Sequence, residues 1–260
     1  GEDAFGPTFV NNYICDFIDR NREKPFFIYY PLLLPHLPFV PTPDSADRSS
    51  TAIQQNYEDM VAYMDKMVGR IVDRLDEVGV RDNTLILFTG DNGSPGGKKG
   101  GIKSVLNGKT IDGGKSMTTD AGTRVALVAN LPGTIPPGKV SDDLVEFSDM
   151  MPTISDMTGA NLPAGEVLDG VSFAPQLRGM KGTPREWIYC YYEPVPGVTK
   201  PVIFARDQRW KLYSDGRLYD ISNDVLEQHP LSDDGPVRRK LQAALDSMPS
   251  EGMKIYRPKD

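Results

Sequence analysis

Cysteine is nearly absent: Cys15 and Cys190 are the only two in 260 residues, too few for a disulfide framework. Neither sits in a Cys-x-x-Cys pair or a Cys/His cluster, which excludes the usual zinc arrangements; whether they pair or stay as thiols is open. No apolar run approaches the roughly 20 residues needed to cross a bilayer, so no membrane span is expected. No leader-peptide pattern stands at Gly1, and the first residue is not Met, so a processed, cloned or otherwise incomplete amino terminus has to be considered. Positive charge is also scarce. Lys and Arg total 29 against 36 Asp and Glu, a formal net charge of -7. That excludes nucleic acid as a partner, because phosphate backbones demand a basic face. An acidic chain that handles an anionic substrate has to gather its cations locally.

What is present centres on Thr84-Leu85-Ile86-Leu87-Phe88-Thr89-Gly90-Asp91-Asn92-Gly93. The unbroken run from Thr84 to Phe88 predicts a strand buried on both faces, as in a parallel sheet between helices. Ligands in open α/β sheets lie beyond the carboxyl ends of strands. Asp91 and Asn92 stand there, offering hard oxygens suited to Ca²⁺ or Mg²⁺. Asn-Gly is also a hairpin signal, but the polar Ser94–Lys103 segment supplies no second strand.

Upstream, helical spacing predicts a helix over 8–22 and an aromatic strand over Pro25–Tyr30. The strand ends in Pro31-Leu32-Leu33-Leu34-Pro35-His36-Leu37-Pro38, placing His36 on the same functional edge as Asp91. A second helix, 55–78, carries the stripe Tyr57, Met60, Val61, Met64, Val68, Ile71, Leu75 and Val78, and Gly79 stops it. Residues 94–124 read as one long loop containing Lys98, Lys99, Lys103, Lys109 and Lys115. It leads into a buried strand over Thr123–Ala129. The spacing of Gly113-Gly114-Lys115-Ser116 is not that of a P-loop. A short helix over 148–158 follows. Four short aromatic strands (187–192, 202–205, 210–213, 217–220) predict an antiparallel meander, and an amphipathic helix over 236–248 closes the chain.

Together these stretches resemble the sulfatases of the alkaline-phosphatase superfamily. The likeness rests on Lys24–Tyr30 with Pro35-His36-Leu37-Pro38, on Asp82–Gly93, on Gly114-Lys115 with Ala121-Gly122-Thr123-Arg124, and on Leu131-Pro132-Gly133. It extends to the tail, Trp210–Tyr213, Leu218-Tyr219-Asp220, Asn223-Asp224 and Glu227-Gln228. The resemblance implies an α/β fold: part of an alkaline-phosphatase-like sandwich with a mostly parallel sheet over 1–182, then a small antiparallel sheet and helix over 183–260. It implies that Asp91 and Asn92 ligate Ca²⁺ (or Mg²⁺), that His36 contacts the ester and helps the leaving group, and that Lys115 neutralises sulfate oxygens. Arg124 matches a family arginine and is expected to be structural. The implied partner is a sulfated small molecule or glycan, and the implied location is outside the cytoplasm.

The departures are equally informative. The family's formylglycine forms in a Cys-x-Pro-x-Arg or Ser-x-Pro-x-Arg motif, and this chain has neither; its early Asp-Asp metal pair and Lys-x-His element are absent too. These 260 residues therefore hold part of a sulfatase site and alone are expected not to turn over sulfate esters. The alternatives are a related phosphoester hydrolase, or a non-catalytic sulfatase-fold module that binds or homo-oligomerises through exposed apolar surface.

Overall fold

The computed structural model describes residues 4–97, 101–106, 108–162, 164–165, 168–232 and 235–248. Lys98 and Lys99, read above as loop lysines, lie outside the described residues. The chain divides into two compact units, residues 1–115 with 126–133 and residues 116–125 with 134–260.

The first unit is built on two helices, α1 (Gly6–Asn21) and α2 (Ile53–Glu77). Pro7 in the first turn of α1 is where a missing N–H costs nothing. The helices are joined through polar as well as apolar contacts: Thr8 Oγ1 to Tyr63 Oη at 2.6 Å, Asn11 Nδ2 to the Met67 carbonyl at 2.9 Å, and a two-pronged Arg74–Asp19 pair at 2.5 Å. The buried side chains of α2 are Asn56, Met60, Tyr63, Met67 and Leu75. The buried positions share Met60 and Leu75 with the expected stripe, but Tyr63 and Met67 join them, packed with Leu34, Phe39 and Ile102, whereas Val61 and Val68 do not reach full burial. Gly79 ends the helix at φ 74°, as expected of a C′ glycine.

Four strands accompany these helices: β1 (Ile86–Thr89), β2 (Lys103–Leu106), β3 (Lys109–Asp112) and β4 (Leu127–Asn130). Here three expectations are corrected. β1 pairs with β4 antiparallel, Ile86 opposite Asn130 and Thr89 opposite Leu127, and every ladder among the described residues is antiparallel rather than mostly parallel. Pro25–Tyr30 enters no strand ladder; instead Phe26, Ile28 and Tyr30 pack on Ile14, Ile18 and Leu75 while Phe27 and Tyr29 are exposed. A run apolar on both sides reports the surfaces a segment offers, not which are covered, and here one layer of helices covers one side. The expected long loop contains the β2–β3 hairpin, Lys103 opposite Asp112.

The second unit contains a short helical turn, α3 (Asp120–Thr123), then α4 (Met150–Thr158), α5 (Ala174–Leu177), strands β5 (Ile188–Tyr192), β6 (Val202–Arg206), β7 (Trp210–Tyr213) and β8 (Leu218–Asp220), and α6 (Pro236–Ser247). The meander is in the expected order β5-β6-β7-β8, all antiparallel. One face packs Ala205, Leu212 and Leu218 against Leu241, Ala244 and Leu245 of α6; the other gathers Phe204, Tyr213, Tyr219 and Ile221. That is the period-two alternation of a sheet with two different faces. Within the second face Lys211 is fully buried, its ammonium bonded to Glu227 Oε1 at 2.7 Å and to the Thr118 carbonyl, 4.0 Å from the centre of the Phe204 ring. Tyr213 Oη donates to Glu227 Oε2 at 2.5 Å.

Residue 183, the boundary expected from the sequence, lies inside the second unit. Near it the buried carboxylate of Asp149 takes Arg185 Nη2 at 2.5 Å and the Val171 amide at 2.7 Å, tying 146–171 to the residues just before β5. Arg124 is largely exposed and lies 3.9 Å from Asp120, a surface pair of small energetic weight. Both cysteines are free thiols, partly buried, and burial raises the pKa of each.

Two tyrosines give the stability a pH dependence. The Tyr30 hydroxyl is buried without a hydrogen-bond partner, and burial pushes it up to about 12. Tyr213 is also raised, first by burial and then by its bond to Glu227. In both, the folded state holds the proton more tightly than the unfolded chain, so their contribution is intact below the ordinary tyrosine value of 10.0 and is lost as pH rises above it. The urea midpoint should hold steady to about pH 9 and fall between about pH 10 and 12, with phenolate absorbance appearing as the chain unfolds. A midpoint unchanged across that window would contradict the assignment.

Candidate active site

The candidate residues fall in the first unit, on three loops fixed to one core. The loop after Tyr30 is pinned by Leu34 and Phe39, which are buried with Met60, Tyr63, Met67 and Ile102. Between those anchors His36 is exposed, its two flanking X-Pro bonds, Leu34–Pro35 and Leu37–Pro38, both cis. Its Nδ1 lies 2.8 Å from the Leu37 carbonyl. A carbonyl only accepts, so Nδ1 carries the proton and Nε2 presents its lone pair. That lone pair faces the Lys115 ammonium at 3.3 Å. The structure therefore brings together two residues 79 positions apart.

Asp91 and Asn92 follow β1, whose end is held by Gly90 N–H to the Ala126 carbonyl at 3.4 Å. Both are exposed. Asn92 Nδ2 donates to the Gly93 carbonyl at 3.2 Å, which leaves the amide oxygen as its ligand face. The link from this loop to Lys115 runs through the backbone: the Lys115 amide donates to the Ser94 carbonyl at 2.9 Å, Ile102 N–H to Pro95 at 2.8 Å, and Gly113 N–H to Ile102 at 2.8 Å. The approach is so close that only glycine fits at two positions. A Cβ on Gly96 would lie 1.9 Å from the Gly113 carbonyl oxygen, and one on Gly113 2.2 Å from that of Pro95. This explains Gly113-Gly114 before the lysine by main-chain contact rather than by phosphate cradling.

The arrangement offers an ammonium, an imidazole nitrogen and a carboxylate–amide pair on neighbouring loop ends. Asp91 and Asn92 are hard-oxygen donors that fit a calcium or magnesium ion, but they are two of the about six to eight oxygens calcium takes. Among the described residues no cluster of three or more His, Cys, Asp or Glu could complete such a shell. Two residues that organise the site escape the sequence reading. Tyr57 reads as ordinary stripe core, and Ser94 as loop; only the fold shows that they bond to each other at 2.7 Å.

Fold and site define a class, and the comparisons agree with it. Residues 8–160 match the family model described as sulfatase, and residues 114–251 match that described as N-sulphoglucosamine sulphohydrolase, C-terminal. The chain belongs to the sulfatase family. It is similar to steryl-sulfatase of Rattus norvegicus, 28% identical over 88% of this chain and 46% of that protein. Arylsulfatase A of Homo sapiens is 30% identical over 82% of this chain and 40% of its own length. Among solved structures, that of Ps i-CgsB superposes with a TM-score of 0.73 at 26% identity, covering 93% of this chain and 54% of the other. The α/β fold is that of the alkaline-phosphatase-like sulfatases. The chain spans less than half the length of either curated relative.

Proposed function

We propose that this chain carries the leaving-group and anion-binding part of a site that hydrolyses sulfate esters. The contact that supports it is Lys115 Nζ to His36 Nε2 at 3.3 Å, on loops tied to the Asp91–Asn92 strand end. Lys115 neutralises sulfate oxygens, and a fixed ammonium costs no reorganisation as charge builds on the departing group. His36 meets the ester oxygen through Nε2, which passes a proton to the departing oxygen only from the imidazolium, protonated at both ring nitrogens, with Nδ1–H kept on the Leu37 carbonyl. Asp91 and Asn92 would hold a calcium (or magnesium) ion together with further ligands, and that ion would supply positive charge to an anionic ester. Neither cysteine here stands in a formylglycine motif, so the nucleophile is not among these residues. The substrate class is a sulfated small molecule or glycan, and the protein is an exported one. Among the described residues no helix is long and apolar enough to cross a membrane. The exposed Phe27 and Tyr29 support association of this face with a further segment or a second copy.

The test uses the protein at its natural length, with a chromogenic aryl sulfate and the matching aryl phosphate assayed side by side. Sulfate hydrolysis is expected to stop with a chelator and to return with calcium, and Asp91→Ala should raise the calcium requirement about 10- to 100-fold. Preference for the phosphate ester would favour the phosphoester-hydrolase reading, and an unchanged calcium requirement in Asp91→Ala would remove the metal assignment.

A further inference from the structure

One side chain outside the proposed chemistry touches two of the three loops that carry the candidate residues and reaches the third, that of Lys115, through Ser94. The Tyr57 ring stands edge-on to Phe39, centroids 5.4 Å apart at 80°, three residues beyond His36. Its hydroxyl shares a 2.7 Å hydrogen bond with Ser94 Oγ, two residues beyond Asn92. The carbonyl of the same Ser94 receives the Lys115 amide proton at 2.9 Å. Tyr57 is itself anchored on α2, one turn before the buried Met60. A phenylalanine would fill the same space against Phe39. The hydroxyl adds one thing, a grip on the loop between the metal-ligand pair and the lysine.

We propose that Tyr57 is a positioning residue for Lys115, acting through Ser94. The Tyr57–Ser94 bond fixes the Ser94 carbonyl, the carbonyl fixes the start of Lys115, and the Phe39 contact holds the His36 loop at the same height. The ammonium and the imidazole are thereby held in register from one rigid helix, and loops positioned by such elements keep their geometry better than loops left to themselves. The proposal rests on the anion-site reading of His36 and Lys115 for its purpose, but the mechanical link is measurable without turnover.

The experiment is residue-resolved amide exchange on the natural-length protein, with and without inorganic sulfate. In Tyr57→Phe and in Ser94→Ala, exchange at the Lys115 amide is expected to quicken about five- to tenfold, the cost of one hydrogen bond. Amides at Met60 and Met67 should stay protected. The double variant should add nothing further, since both substitutions break one bond, and Ser94→Thr, which keeps a hydroxyl, should restore protection. Affinity for sulfate should fall in Tyr57→Phe and in Ser94→Ala and hold in Ser94→Thr, a pattern that plain loss of packing would not produce. Unchanged exchange at Lys115 in Ser94→Ala overturns the proposal, and this loop substitution decides it even if Tyr57→Phe disturbs the helix. If sulfate leaves Lys115 untouched while the variants respond, the positioning link stands and the anion-site reading falls; if sulfate protects Lys115 and the variants do not respond, the reverse holds.

Discussion

Replacing Lys211 with methionine is expected to cost about 3–5 kcal/mol of the second unit's stability. Its ammonium is fully buried and has Glu227 and the Thr118 carbonyl as partners. Burial lowers the pKa of Lys211 even with Glu227 alongside, so desolvation already outweighs the pairing. Removing the cation leaves the nearly inaccessible Glu227 carboxylate with Tyr213 as its remaining side-chain donor. An uncompensated buried charge is the expensive outcome; the pair itself contributes little net. Lys211→Met with Glu227→Leu should therefore recover most of the loss. Denaturant midpoints of the single and double variants check this. A single variant within about 1 kcal/mol of the parent, or a double variant no better than the single, would show that the pair is not coupled as described.

The second large effect falls on chemistry. For the natural-length protein acting on an aryl sulfate, Lys115→Ala should lower kcat about 10²–10³-fold, the usual loss when one preorganised donor to a charged transition state is removed. KM should rise too, though less than kcat falls, because the ammonium holds the ester's sulfate oxygens before the reaction and acts further on charge that grows during it. His36→Ala should be similarly damaging, and the double variant should fall short of the product of the two, since the groups touch at 3.3 Å. Loss below about tenfold in Lys115→Ala would leave the lysine outside the reaction.

Much of this was legible in the residues. The four longer helices, α1, α2, α4 and α6, and the four-strand meander follow from periodicity, because their burial is decided locally: Leu212 and Tyr213 face opposite sides of one sheet, and the alternation says so; the one-turn helices α3 and α5 lie in stretches that read as loop. The strand end carrying Asp91 and Asn92 was equally plain. Partner choice was not. Thr84–Phe88 reads as a parallel core strand, yet β1 lies antiparallel to β4, since apolar content does not encode direction. Pro25–Tyr30 reads as a strand by composition but has no ladder. The β2–β3 hairpin was hidden by its polar surroundings. His36 and Lys115 could be paired only through resemblance, for no local pattern links residues 79 apart, and Tyr57 looked like filler because a helical stripe does not reveal where a hydroxyl ends.

The scarcity of cysteine has a practical sequel. With Cys15 in the first unit and Cys190 in the second, each free and partly shielded, the molecule carries one natural chemical clock per unit. Timed alkylation under mild denaturant, read by mass spectrometry of the two peptides, would report which half opens first without introducing any label.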